Sequence, residues 1–131
     1  MTGPVATWRV VETVTVGQTP EGVALSRDGS MLAVTVMNGS NKPAASPFRG
    51  EGQVQLWRIA RSGPVRLTRI ASAAFGLWSQ RAAFSADGRR LLVQNMVERD
   101  LSVFRIENNR LTPMLRIPLP AAPASIAVSP R

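Results

Sequence analysis

An all-β chain built from repeated four-stranded units is the fold this sequence predicts, and three observations predict it. The phrase "ALSRDGSMLAV" (Ala24 to Val34) returns as "AFSADGRRLLV" (Ala83 to Val93) and starts again as "AVSPR" (Ala127 to Arg131). Each copy sets short apolar runs around a polar turn, the pattern of a hairpin between half-buried strands. Nowhere does an apolar period of 3.6 residues persist over three turns, so no helix is expected.

The spacing of the copies gives the size of the unit. Ser26 and Ser85 lie 59 residues apart, whereas Ser85 and Ser129 lie 44 apart. A second anchor, "LWRI" (Leu56 to Ile59) against "VFRI" (Val103 to Ile106), puts twelve of the fifteen extra residues in the segment 38–52. The underlying period is about 44 residues, which is the length of a four-stranded propeller blade.

The elements follow in order. The first strand is "GVAL" (Gly22 to Leu25), returning as "RAAF" and "SIAV". Asp28-Gly29 and Asp87-Gly88 form the next turn, with both residues expected at positive φ to match the twist of the flanking strands. The second strand is "MLAVTVM" (Met31 to Met37) or "LLVQNM" (Leu91 to Met96), and the third is "VQLWRI" (Val54 to Ile59) or "LSVFRI" (Leu101 to Ile106). After the polar turns "ARSGP" and "ENNR" come the fourth strands, "VRLTRIA" and "LTPMLRI". Ala24, Ala83 and Ala127 share one register, as small residues would where inner strands crowd around a propeller axis.

Residues 1–131 therefore read as one partial propeller domain. Residues 1–19 supply outer strands of an incomplete blade, and 20–79 form a blade carrying the insertion 38–52. Residues 80–120 form a second blade, and 121–131 give the inner strand of the next. Propellers close with four to eight blades, so an incomplete ring is expected, with the remaining blades in the same parent chain. The rival arrangements are a ring completed by further copies and an open arc, which would leave apolar faces and strand edges bare.

Composition narrows the chemistry. The net charge is +8, but the Arg residues are scattered and aromatic residues make up only 5%, so a converging phosphate-binding surface is not expected. No apolar run is long enough to cross a bilayer, and this segment shows no signal peptide. His and Cys are absent, which excludes from this segment a Ser-His-Asp triad, a conventional zinc site and disulfides. Calcium-loop spacing and a Gly-rich phosphate loop are missing as well. Neither a metal nor a cofactor is expected, and the cell compartment is left open.

Three stretches carry a family resemblance: "TPEGVALSRDGSMLAV", "FSADGRRLLVQNMVERDLSVFRIENNRL" and "PASIAVSPR". Together they resemble the bacterial seven-bladed propellers of the lactonase-like and YVTN-repeat group. That group repeats a proline-led inner strand, a Ser-Pro-Asp-Gly turn and a "VxVFRI" third strand. This chain departs from it at Arg27 and Ala86, where the group often has Pro, and in the insertion after Asn38. The resemblance implies a fragment of a seven-bladed propeller and, for activity, hydrolysis of a sugar lactone. The rival reading is a non-enzymatic propeller that binds a protein or small polar ligand through its rim loops.

The loops expected at one rim are 17–22, 37–52, 76–81 and 94–100. They would gather Trp78, Gln80, Asn38, Asn95 and Lys42 as ligand contacts, with Glu21 or Glu98 as a general base and Arg81 to steady an oxyanion. Trp78 offers a flat apolar face to a sugar ring. Plain structural roles compete with each: a Glu21–Arg81 ion pair between blades, Trp78 as an inter-blade plug, and Asn38 and Asn95 as turn formers. The insertion is open to two readings, a functional loop or a disordered one.

Overall fold

The computed structural model describes residues 7–129. Its eight strands form two four-stranded antiparallel sheets, each in plain chain order. The first sheet contains β1 (Pro20–Leu25), β2 (Met31–Val36), β3 (Gln53–Ala60) and β4 (Arg66–Ala74). The second contains β5 (Ala82–Phe84), β6 (Arg90–Asn95), β7 (Asp100–Glu107) and β8 (Arg110–Pro118). The sequence repeat is thus a repeat of topology, and each sheet is one propeller blade. No α-helix occurs among the described residues.

The Asp-Gly turns work differently from the expected two-residue hairpin. Only Gly29 and Gly88 take positive φ, at 70° and 68°; neither Asp does. The loop is longer, and the Asp side chain closes it. Asp28 Oδ1 accepts from the Ser26 hydroxyl at 2.7 Å and the Ser30 amide at 3.0 Å, while Ser26 Oγ accepts from the Met31 amide at 2.9 Å. Asp87 repeats the arrangement with the Ser85 hydroxyl and the Arg89 amide. These bonds favour the ionised carboxylate. The Ser26 hydroxyl first, then the Ser30 groups, hold Asp28 down at about 2, and the Ser85 hydroxyl, then the Arg89 amide, lower Asp87.

The fourth strands run longer than the sequence suggests. Each carries a bulge against the third strand, between Leu56 and Trp57 in one blade and between Val103 and Phe104 in the other. Pro113 sits beside the second bulge on the edge strand β8, where a missing amide costs the ladder little.

Alternation along the strands sends two apolar sets to opposite faces. Ala33, Val54 and Leu56 of the first blade meet Ala82, Phe84, Leu91, Val93 and Phe104 of the second, forming the main core between the blades. Ala24 packs against this core, as the small-residue register anticipates. Leu56 and Leu91 are fully buried, a contribution of roughly 1.5–3 kcal/mol each. On its other face the first blade has a smaller cluster of Val34, Val36 and Trp57, against which Val14 and Val16 pack.

Residues 8–19 and 119–129 contain no ladder strand, although both read as strands from sequence. The reason is physical: alternation gives a face, but a ladder needs a paired neighbour, and none of the described residues supplies one. At its end the earlier segment accepts from the Met37 and Asn38 amides through the Thr19 and Gln18 carbonyls, and side chains hold the rest. Gln55 Nε2 donates to the Val16 carbonyl at 2.6 Å, and Glu12 accepts from the Leu67 amide at 2.6 Å while pairing with Arg66 at 3.7 Å. The part of the incomplete-blade reading that falls on residues 1–6 and 130–131 lies outside the described residues.

Candidate functional site

The two blades come into close contact at Gly22. A side chain there would place its Cβ 2.1 Å from the Gln80 carbonyl oxygen, so only glycine fits. The Thr35 hydroxyl fills the remaining space, accepting from the Gly22 amide at 2.9 Å and donating to the Gln80 carbonyl at 3.0 Å. Glu21 and Arg81, the chain neighbours of these two residues, flank the contact, and both are exposed. They do not form an ion pair; the ion pairs among the described residues are Glu12–Arg66 and Asp100–Arg116.

The 76–81 crossing runs along the top of this seam and is tied on two sides. Trp78 has a left-handed backbone, φ 53°, and its amide donates to Ser40 Oγ of the insertion at 3.1 Å. Its ring is part-exposed, at 37% of the residue's surface. One residue earlier, the Leu77 amide donates to both Glu98 oxygens, at 2.9 and 3.0 Å. Glu98 therefore spends its carboxylate on holding the crossing segment.

Asn95 is the buried hub below. Its Oδ1 accepts from the Ser79 hydroxyl at 2.8 Å, and its Nδ2 donates to Asp100 at 2.6 Å and to Ser102 Oγ at 2.8 Å. Asp100 in turn pairs with Arg116 at 3.0 Å. With no exposure at all, Asn95 cannot meet a ligand from solvent; it clamps the rim. Ser40, Ser79, Asp100 and Ser102 are the residues that sequence reasoning missed here. Ser40 and Ser79 act through partners 38 and 16 residues away, whereas Asp100 and Ser102 meet Asn95 across the hairpin of β6 and β7.

The insertion folds into a compact loop of consecutive turns. Amide-to-carbonyl bonds join Ser40 to Met37, Lys42 to Gly39, Ser46 to Pro43 and Arg49 to Ser46. The Arg49 guanidinium donates to the Lys42 carbonyl at 2.7 Å, and the loop ends meet where Gly39 and Gly50 leave no room for a Cβ against Phe48 and Asn38. Asn38 takes positive φ, 53°, in the first turn, and its amide donates to the Gln18 carbonyl at 3.0 Å. Lys42 and Gln80 are half-buried. Of the eight residues singled out from sequence, Glu21, Arg81 and Trp78 keep side chains free towards solvent at the seam, whereas Asn95 and Glu98 are committed to the scaffold.

No protein-family model matches this chain, and no curated protein does. Solved structures do. A candidate 6-phosphogluconolactonase from Bacteroides fragilis matches with a TM-score of 0.65 at 16% identity over 81% of this chain and 27% of its own. The periplasmic gluconolactonase of Pseudomonas aeruginosa matches with a TM-score of 0.57 at 19% identity, covering 74% and 27%. Hydrazine synthase of Kuenenia stuttgartiensis matches with a TM-score of 0.63 at 21% identity, covering 98% and 30%. The chain thus spans less than a third of the length of these structures. At such identities the likeness is one of fold: the two sheets have the form of adjacent blades of a lactonase-like propeller.

Proposed function

We propose that this chain is a sector of a lactonase-like propeller whose rim takes a small cyclic polyol derivative, a sugar lactone, and hydrolyses it. The observation carrying the proposal is the seam at Gly22 and Gln80, which sets an exposed carboxylate, Glu21, and an exposed guanidinium, Arg81, on either side of one contact. Gluconolactonases among the fold neighbours support the substrate class. In this reading Trp78 offers its ring face to the sugar. Glu21 takes a proton from water as its oxygen attacks the lactone carbonyl carbon, and Arg81 steadies the oxyanion. Collapse of that intermediate breaks the bond to the ring oxygen, which receives the proton, so the product is the open hydroxy acid.

A second reading, ligand or protein binding without turnover, draws support from the insertion, which presents Phe48 with 69% of its surface exposed. Glucono- and phosphogluconolactone hydrolysis by the parent protein separates the two. The proposal expects turnover that falls at least tenfold in both Glu21→Gln and Arg81→Ala. Unchanged turnover in both variants removes these residues from the chemistry, and ligand binding without hydrolysis in the unaltered protein supports the second reading.

A further inference from the structure

The arginines that lie scattered along the sequence are gathered by the fold at one end of the strands. That end carries the turns closing β1–β2, β3–β4, β5–β6 and β7–β8, and lies opposite the rim. Both sheets present it on the same side, because the Arg58 guanidinium donates to Asn109 Oδ1 of the neighbouring blade at 2.5 Å. The first sheet places Arg27 and Arg61 in its turns and Arg58 and Arg66 near its strand ends. The second adds Arg89 from its inner turn and Arg90, Arg105 and Arg110 from β6, β7 and β8. All eight are exposed. Four carboxylates accompany them, and three are committed: Asp28 and Asp87 to their turns, Glu12 to the Leu67 amide and Arg66. At the rim five basic residues stand beside four acidic ones, so the positive excess belongs to the turn end.

One pair there is unfavourable as it stands. Arg90 and Arg105 lie directly opposite each other on β6 and β7, and like charges so placed repel. The first sheet avoids the clash, since Met31 faces Arg58. Neither the Arg90 nor the Arg105 guanidinium has a hydrogen-bond or ion-pair partner among the described residues. Arg89 is held alongside, its carbonyl accepting from the Ile106 amide at 2.8 Å. These three arginines, with Asp87, Ile106 and Glu107, line a cavity of about 430 Å³. An anion entering it would turn a repulsive pair into charge-assisted hydrogen bonds.

The side chains indicate which anion. Every basic residue at this end is Arg, whose planar fork matches phosphate oxygens two at a time. The turn segments 26–30, 61–65, 85–89 and 108–109 hold no aromatic residue on which unpaired bases could stack. Val65 is their one large apolar residue, too little to wedge into a bilayer. Ser62, Asn108 and Asn109 add donors of the kind that meet phosphate oxygens. Strands lie about 4.8 Å apart, so the end of each four-stranded sheet spans roughly 15 Å, room for several phosphates of a duplex.

We infer that this end docks the phosphate backbone of double-stranded nucleic acid without reading its sequence, one phosphate seating between Arg90 and Arg105. The surface lies at the opposite end of the strands from Glu21 and Arg81, so this inference and the lactonase reading can fail separately.

Fluorescence anisotropy with a labelled DNA duplex of roughly twenty base pairs tests it, over about 50 to 200 mM salt. Two unrelated duplex sequences should bind equally, and log affinity should fall against log salt with a slope between about −3 and −5. Arg90→Met, which copies Met31, should weaken binding about threefold or more and make the slope shallower by about 1. Its urea midpoint should stay unchanged or rise, because the like-charge pair is gone. Arg99→Gln at the rim should leave duplex affinity unchanged. Absence of duplex binding at the lowest salt overturns the inference, as do equal losses in Arg90→Met and Arg99→Gln. Tighter binding to phosphatidylserine vesicles or to polyglutamate than to the duplex overturns the choice of occupant.

Discussion

Thr35 and Gln80 belong to different blades, yet the Thr35 hydroxyl donates to the Gln80 carbonyl at 3.0 Å across a gap kept open by Gly22. The same hydroxyl accepts from the Gly22 amide, so one side chain satisfies the backbone of both blades.

Substitutions at this seam should weaken the whole sector. Gly22→Ala forces a Cβ against a backbone oxygen that cannot swing away, and should cost about 1–3 kcal/mol. Thr35→Val keeps the shape but leaves two backbone groups unpaired, and should cost about 1–3 kcal/mol. Urea denaturation of each variant measures the loss, with the slope m expected to stay unchanged.

Core and edge positions should differ sharply. Leu56 is fully buried between the blades, and Leu56→Ala should lose about 2–5 kcal/mol. Leu115 on the edge strand is 51% exposed, and Leu115→Ala should stay within about 0.5 kcal/mol. Equal losses at the two positions would refute the assigned core.

The turn carboxylates predict an acid transition. Asp28 and Asp87 titrate below the ordinary 3.8 in the folded chain because Ser26 and Ser85 hydroxyls bond their charged forms. Their stabilisation is therefore complete above pH 3.8 and disappears as pH falls towards about 2, where Asp28 protonates. Urea midpoints taken from pH 5 to 2 should drop over that window, and a Asp28→Asn, Asp87→Asn double variant should flatten the drop.

Scaffold and ligand roles on the rim are separable. Asn95→Ala strips partners from Ser79, Asp100 and Ser102, and should cost about 1–3 kcal/mol in thermal or urea unfolding. Trp78→Ala should leave stability nearly unchanged while abolishing the lactone binding proposed for the rim, read by calorimetry on the parent protein. The opposite pairing of effects would reverse the two assignments.

What sequence could and could not reveal follows from the range of the forces involved. The hairpins around Ser26–Ser30 and Ser85–Arg89 were readable because a Ser, an Asp and a Gly close each loop within a few residues. Glu21, Trp78 and Arg81 are exposed, each at a strand entry or crossing whose place the repeat predicts. Asn95 reads from sequence as a ligand contact or a turn former, and its role as a buried clamp depends on Ser79, which comes from the crossing before the second blade. The ends read as strands because Val14, Val16, Ile126 and Val128 alternate properly, but alternation alone does not provide a hydrogen-bonding neighbour.

The packing of the two sheets as neighbouring blades is tested most directly by nuclear Overhauser contacts between methyl groups of Val54 and Leu56 and the rings of Phe84 and Phe104. The account predicts strong cross-peaks between these residues, since they form one buried cluster. Intact cross-strand peaks within each sheet, with none between these methyls and rings, would contradict it.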